Sequence, residues 1–351
     1  MSENRSLADR FRRLIRATGP ISLLHYMGES NARYYASKDP FGEAGDFITA
    51  PEISQMFGEL VGLWLADIWL RAQQPLPVHY VELGPGRGTL ARDALRAMAQ
   101  FGLRPQVHFV EGSAELKAIQ LSAVPEARLH SDLSTVPTDG PVLLVANEFL
   151  DALPVRQLVR TPHGWRERMV GLDGDDFTFM AGRQPMEAAV PEARRDAEAG
   201  TILETCPGAA SVVFEVAGRL AQQGGAALFI DYGYDQPRFG STLQAVKAHE
   251  KIDPFAAPGE ADLTALVDFA ILKDVALSRD ARWLGTAEQG AWLRALGIEQ
   301  RAEALARHRP DQRETLMRAK ERLVDADQMG ALFKVMGLAG PDWPDGTGLA
   351  G

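Results

Sequence analysis

Val81-Glu82-Leu83-Gly84-Pro85-Gly86-Arg87-Gly88-Thr89 decides the fold. A short apolar run over 78–83 carries an acid near its end, three alternate glycines follow, and a helical pattern begins directly after them. Glycines between a strand and a helix let the backbone pass close to a ligand. A dinucleotide fingerprint asks for glycine or alanine five positions after its first glycine, and Thr89 stands there. The loop is therefore GxGxG preceded by Glu82. That acid would repel a pyrophosphate at the following helix but can accept hydrogen bonds from an ammonium group or its ordered waters. The residue types favour a ligand with cationic character.

Outward from the loop, apolar runs at 107–111, 127–130, 142–146 and 226–231 alternate with helical segments, the rhythm of an α/β, doubly wound parallel sheet. S-adenosylmethionine has both an amino acid moiety and a sulfonium. Glu111 after the second strand is expected to take its two ribose hydroxyls, and Asp132 after the third to reach its adenine. With Glu82, Gly84, Gly86 and Gly88 these form the candidate cofactor site. Asn147-Glu148-Phe149-Leu150-Asp151 follows the fourth strand, at the carboxyl edge where open α/β sheets bind ligands. The same residues equally fit a helix start, with Asn147 as cap and the two acids against the helix dipole. Asp231, Tyr232 and Tyr234 at the end of the fifth strand are further candidates for the same cleft.

Upstream, Leu7, Phe11, Leu14 and Ile15 recur at helical spacing, and a second short helix is expected around 21–27. Thr49, Pro51 and Glu52 read as a capping box opening one long helix that runs to about Gln73. Its Met56, Trp64 and Trp69 belong to core rather than to a cofactor box. The Gly45-Asp46-Phe47 loop before it is a candidate lid that brings Asp46 over the cofactor. Downstream, 155–183 breaks the rhythm with an inserted antiparallel hairpin, and 232–262 reads as mostly irregular. Helices are expected near 263–276, 286–296 and 302–324, and a last strand at 331–338.

The 351 residues are 46% hydrophobic and 24% charged, enough for a sizeable core. A net charge of -10 lacks the basic footprint of a nucleic-acid binder. One cysteine, Cys206, and seven histidines show no zinc spacing, and no metal is expected. The longest apolar stretch, 61–70, carries Asp67 and is too short for a membrane span, so no membrane insertion is expected. The N-terminal arginines are interrupted by Glu3 and Asp9 and no apolar signal core follows, which favours a cytoplasmic, bacterial location over a mitochondrial matrix one. The apolar N-terminal helices make a homodimer an expectation.

Six segments carry a resemblance: GPISLLHYMGESNARYY (19–35), GDFITAPEISQMFGELVGLW (45–64), VELGPGRGTL (81–90), ANEFLDALPV (146–155), FIDYGY (229–234) and PGEADLTALVDF (258–269). Together they resemble the MidA and NDUFAF7 type of class I methyltransferases over nearly the whole chain. The resemblance implies a Rossmann-like class I methyltransferase sheet with N-terminal helices and an inserted β-hairpin and helical lobe. In domain terms, 1–76 would be a helical segment with the cofactor lid, and 77–351 the methyltransferase domain with insertions at about 155–205 and 235–300. It also implies S-adenosylmethionine-dependent methylation of a protein arginine, symmetric dimethylation on the 49-kDa-type subunit of respiratory complex I, and a role in its assembly. Two departures are Gly112, where the family tends to be apolar, and a loosely matching charged C-terminal region.

Methyl transfer from a sulfonium is an in-line displacement that asks the protein for alignment and exclusion of water. A guanidinium is a poor nucleophile, so carboxylates are expected to orient one nitrogen and draw charge onto the others. Glu148 and Asp151, with Asn147, are the candidates for that task. A non-catalytic scaffold keeping the fold, and a nicotinamide-dependent oxidoreductase, are the alternatives; Thr89 argues against the second.

Overall fold

The computed structural model describes residues 6–37, 49–248 and 250–350. The chain divides into two compact units: Met1–Lys38, Asp151–Ala209 and Gln236–Asp268 form the smaller, and Asp39–Leu150, Ala210–Asp235 and Phe269–Gly351 the larger. Residues 6–37 thus group with the two central stretches, while the helix before the first strand belongs to the larger unit.

The larger unit holds seven strands of one sheet: β1 (His79–Leu83), β2 (Gln106–Val110), β3 (Arg128–His130), β4 (Val142–Asn147), β5 (Gly225–Tyr234), β6 (Arg282–Glu288) and β7 (Phe333–Ala339). Their order is β3-β2-β1-β4-β5-β7-β6. β1 to β5 run parallel, and β7 is antiparallel to both its neighbours. β1 and β4 are buried throughout, the signature of strands covered on both faces. Connections leave β1 in one direction and β4 in the other, so the crevice at their carboxyl ends is the topological switch point.

A one-turn helix, Ala50–Ile53, and the helix Gln55–Arg71 precede the sheet. The single capped helix expected here is corrected. Thr49 makes no side-chain cap, Ser54 is extended, and its hydroxyl accepts from Met56 N to cap the second helix. Apolar residues lie all around Gln55–Arg71 and join the core of the larger unit. Gly58 and Gly62 let it cross the helix Thr89–Ala99 closely: a Cβ on Gly62 would stand 2.3 Å from the Ala94 carbonyl oxygen.

In the smaller unit the inserted hairpin, Gly164–Asp173 with Asp176–Pro185, turns at Gly174 with φ 59°. It belongs to a five-stranded antiparallel sheet with Ile21–Ser22, Arg156–Thr161 and Ile202–Thr205. The stretch expected to be irregular contains a three-stranded sheet of Gln244–Lys247, Glu250–Ile252 and Asp262–Thr264. Phe11, Tyr26, Phe177 and Phe255 pack as an aromatic core with centroids 4.9 to 6.4 Å apart. Among the described residues no helix is long and apolar enough to cross a membrane.

Two further expectations change in the larger unit. Thr286 lies in β6, not at a helix start, and the charged helix is two, Ile298–His308 and Arg313–Val324, parted at Pro310, whose missing N–H and ring interrupt a helix interior.

Candidate active site

The site is built on the carboxyl ends of β1 and β4, adjacent strands with Leu83 beside Ala146. After β1 the chain turns through Gly84, Gly86 and Gly88 with φ of 60°, 52° and 79°. These are left-handed conformations that L side chains rarely adopt. Gly84 N donates to Val110 O at 3.0 Å, tying the loop to β2. A Cβ on Gly84 would stand 2.7 Å from the Phe149 ring, so the loop is also pressed against the turn that follows β4.

That turn is not a helix start, and the capping explanation for Asn147 and Glu148 drops out: no helix begins between 147 and 154. Glu148 itself takes φ 50°. A non-glycine residue there costs of order 1–3 kcal/mol and needs surrounding support. The support is visible. Glu148 N donates to Ile230 O at 2.8 Å, and Asp231 Oδ2 accepts from Phe149 N at 3.1 Å and Leu150 N at 2.9 Å. Asp231, 1% exposed at the end of β5, therefore holds the turn by its backbone.

One pocket is lined by Thr49, Pro51, Glu52, Glu82, Gly84, Pro85, Gly86, Arg87, Thr89, Leu90, Asn147 and Glu148. Glu82 lines it, 3% exposed, and accepts from the Tyr80 hydroxyl at 2.7 Å. Burial pushes the Glu82 carboxyl up to about 8 and the Tyr80 bond only partly offsets it. A cationic group in the pocket would favour its ionised form. Glu148 Oε1 accepts from Ala50 N at 2.8 Å and from Asn147 Nδ2 at 3.2 Å. Asn147 Oδ1 is buried and has no hydrogen-bond partner among the described residues. Glu52 Oε1 accepts from the Thr89 hydroxyl at 2.6 Å, at the start of the helix Thr89–Ala99 where the dipole favours an acid.

The other expected residues fall as follows. Glu111 follows β2; its Oε1 accepts from Ser113 N at 2.7 Å and its Oε2 from Gln120 Nε2 at 3.4 Å. Asp132 is exposed and caps a turn, its Oδ1 accepting from Ser134 N at 2.8 Å, which lowers its pKa. Asp151 belongs to the smaller unit, where it is 7% exposed and its backbone oxygen accepts from Ala265 N. Asp46 lies outside the described residues. Tyr232 packs on Phe333 at 5.6 Å. His79, His108 and His130 hydrogen-bond in a row across β1, β2 and β3, and burial pushes His108 down to about 4.

Three further residues at the site are not among those expected from sequence: Glu52, whose spacing from Thr49 imitates a cap, Tyr80 and Gln120. Tyr80 was findable: two positions before Glu82 on a strand, it shares that residue's face. Gln120 is fully buried and donates to Gly86 O at 2.9 Å as well as to Glu111, joining the glycine loop to the second acid. Nothing in its helical spacing marks it.

The residues present fit S-adenosylmethionine in kind: a glycine loop with no room for a Cβ at Gly84, the buried Glu82 that would suit a cationic end, and Glu111 after β2 that would suit a pair of ribose hydroxyls. When bound, that group supplies an electrophilic methyl. Strand order and loop together define a class I S-adenosylmethionine-dependent methyltransferase.

A family described as "Putative S-adenosyl-L-methionine-dependent methyltransferase" matches residues 60–287. Rattus norvegicus protein arginine methyltransferase NDUFAF7, mitochondrial, is 37% identical, covering 92% of this chain and 82% of the relative. The Homo sapiens protein of the same name is 35% identical over 92% and 81%. A COG1565 superfamily member from Burkholderia thailandensis, crystallised bound to S-adenosyl-homocysteine, superposes with a TM-score of 0.83 at 30% identity, covering 98% of this chain and 92% of that one. The chain belongs to the NDUFAF7 family of S-adenosylmethionine-dependent methyltransferases. The expected cytoplasmic location is corrected by the same finding, since these relatives are mitochondrial proteins. Missing targeting signals were its only basis, and an absence says nothing positive about place.

Proposed function

We propose that the protein methylates arginine on a protein substrate, with Glu148 and Asn147 receiving the guanidinium. The supporting observation is Glu148: an acid held in a left-handed turn by Ile230 O and Asp231, in the same pocket as Gly84 and Gly86. Strain of this kind, kept up by several tertiary bonds, suits a group whose position matters to chemistry. The names of the relatives support arginine as the acceptor.

Held at the loop of Gly84 and Gly86, S-adenosylmethionine would supply the methyl group, its carbon–sulfur bond breaking as the nitrogen–carbon bond forms, and Glu148 would align one guanidinium nitrogen to receive it. The nitrogen then loses a proton, which Glu148 accepts and passes to solvent. Charge-assisted bonds from the carboxylate align the nitrogen and hold the spread of charge.

The proposed substrate is the 49-kDa-type subunit of NADH:quinone oxidoreductase, with symmetric dimethylarginine as product and assembly of that complex as the setting. The test is incubation of the purified subunit with the protein and labelled S-adenosylmethionine, followed by fragmentation mass spectrometry. Symmetric dimethylarginine on the subunit is expected. A methyl group on any other residue type would overturn the reading.

A further inference from the structure

We propose that Glu52 is the second carboxylate of the acceptor site, so that Glu52, Asn147 and Glu148 together clamp the substrate guanidinium. The proposal rests on the arginine reading above and completes it, since that chemistry calls for a pair of acids. The pair expected from sequence was Glu148 with Asp151; the pocket of the larger unit brings Glu52 to Glu148 instead.

Four observations converge. Glu52 and Glu148 line one pocket with the glycine loop. They are joined through a single turn of helix: Ala50 N donates to Glu148 Oε1, and Glu52 lies two residues further along the same Ala50–Ile53 turn. The Thr89 hydroxyl holds Glu52 Oε1, fixing the carboxylate's direction. Asn147, whose Nδ2 donates to Glu148 Oε1, is 9% exposed and lines the pocket, and its Oδ1 is a buried acceptor without a donor among the described residues. A buried acceptor left unmatched is costly, and a ligand N–H arriving there would relieve it. A guanidinium brings five N–H donors in a planar fork, the group best able to reach two carboxylates and an amide oxygen at once.

The variant is Glu52→Gln, which removes the charge but keeps an oxygen for Thr89; Thr89→Val, which removes the anchor instead, is the second variant. Each is compared with wild type in three assays: S-adenosylhomocysteine affinity, kinetics of methyl transfer to the 49-kDa-type subunit, and binding of ethylguanidinium against butylammonium to the S-adenosylhomocysteine complex. For Glu52→Gln the clamp predicts S-adenosylhomocysteine affinity within about threefold of wild type. It also predicts a KM for the subunit raised at least about tenfold, and loss of the preference for ethylguanidinium. Thr89→Val should weaken ethylguanidinium less.

A fall in S-adenosylhomocysteine affinity with unchanged acceptor binding would make Glu52 a cofactor ligand and overturn the clamp, as would wild-type behaviour in all assays. If wild type leaves the subunit unmethylated but binds ethylguanidinium through Glu52, the clamp stands and the substrate assignment falls. If wild type does neither, both fall.

Discussion

The turns after β1 and after β4 lie side by side and both pass through left-handed backbone, yet they reach it by opposite means. After β1 the conformation comes from Gly84, Gly86 and Gly88, so any sequence with those glycines at that spacing permits it. After β4 it is carried by Glu148, and what maintains it is a tertiary set: Ile230 O, the Asp231 carboxylate and Ala50 N. The first turn is a cradle open to backbone contact. The second presents a charged side chain at a fixed point. Under the function proposed above, cofactor binding and acceptor binding divide between these two neighbouring strand ends.

The sharpest way to break this division is Gly84→Val. The new side chain would collide with Phe149 and require φ near 60° from a β-branched residue. S-adenosylhomocysteine affinity should fall by at least about a hundredfold by calorimetry, in keeping with loss of several backbone contacts. Affinity within tenfold of wild type would show that the loop is not the cradle.

Asp231→Ala attacks the other turn from behind. Phe149 N and Leu150 N would lose their acceptor, at roughly 1–3 kcal/mol each where burial is complete. A lower thermal midpoint is expected, together with a larger loss of methyl transfer than of S-adenosylhomocysteine binding. Equal losses in both would erase the distinction between the turns.

The smallest effect is in pH. The Glu82 carboxyl is pushed up to about 8 by burial, so between pH 6 and 8 the free pocket holds it mainly protonated. An ammonium-bearing ligand selects the ionised form, and binding then releases a proton. Affinity for S-adenosylhomocysteine should therefore rise with pH up to about 8, by at most about tenfold per unit. The same shift makes the folded state the better proton binder, so its contribution to stability declines as pH rises from the unfolded carboxylate range through about 8. Flat affinity over that range would remove Glu82 from the cationic end of the ligand.

The contrast between the turns also explains what the sequence made legible. Strand and helix rhythm over 78–146 follows from local periodicity, and β1, β2, β3 and β4 lie within a residue or so of where the apolar runs put them. Gly174 marked the hairpin turn and Gly224-Gly225 the end of the helix before β5, both local demands on backbone. Where local signals competed, tertiary context won. Thr49 and Glu52 have cap spacing, yet Glu52 turns to Thr89. Thr286 has a place in β6 because β7 offers it a partner in Met336. Glu82 was legible as an acid before glycines, but its proton affinity depends on burial that only the folded sheet creates.

The most direct measurement is titration of S-adenosylhomocysteine into Glu148→Gln beside its rate of methyl transfer. If the strand ends divide cofactor from acceptor, affinity stays within about threefold of wild type while kcat falls by about a hundredfold or more, the scale of losing one charge-assisted contact to a reacting group. An affinity loss like that of Gly84→Val, or a turnover left intact, would contradict it.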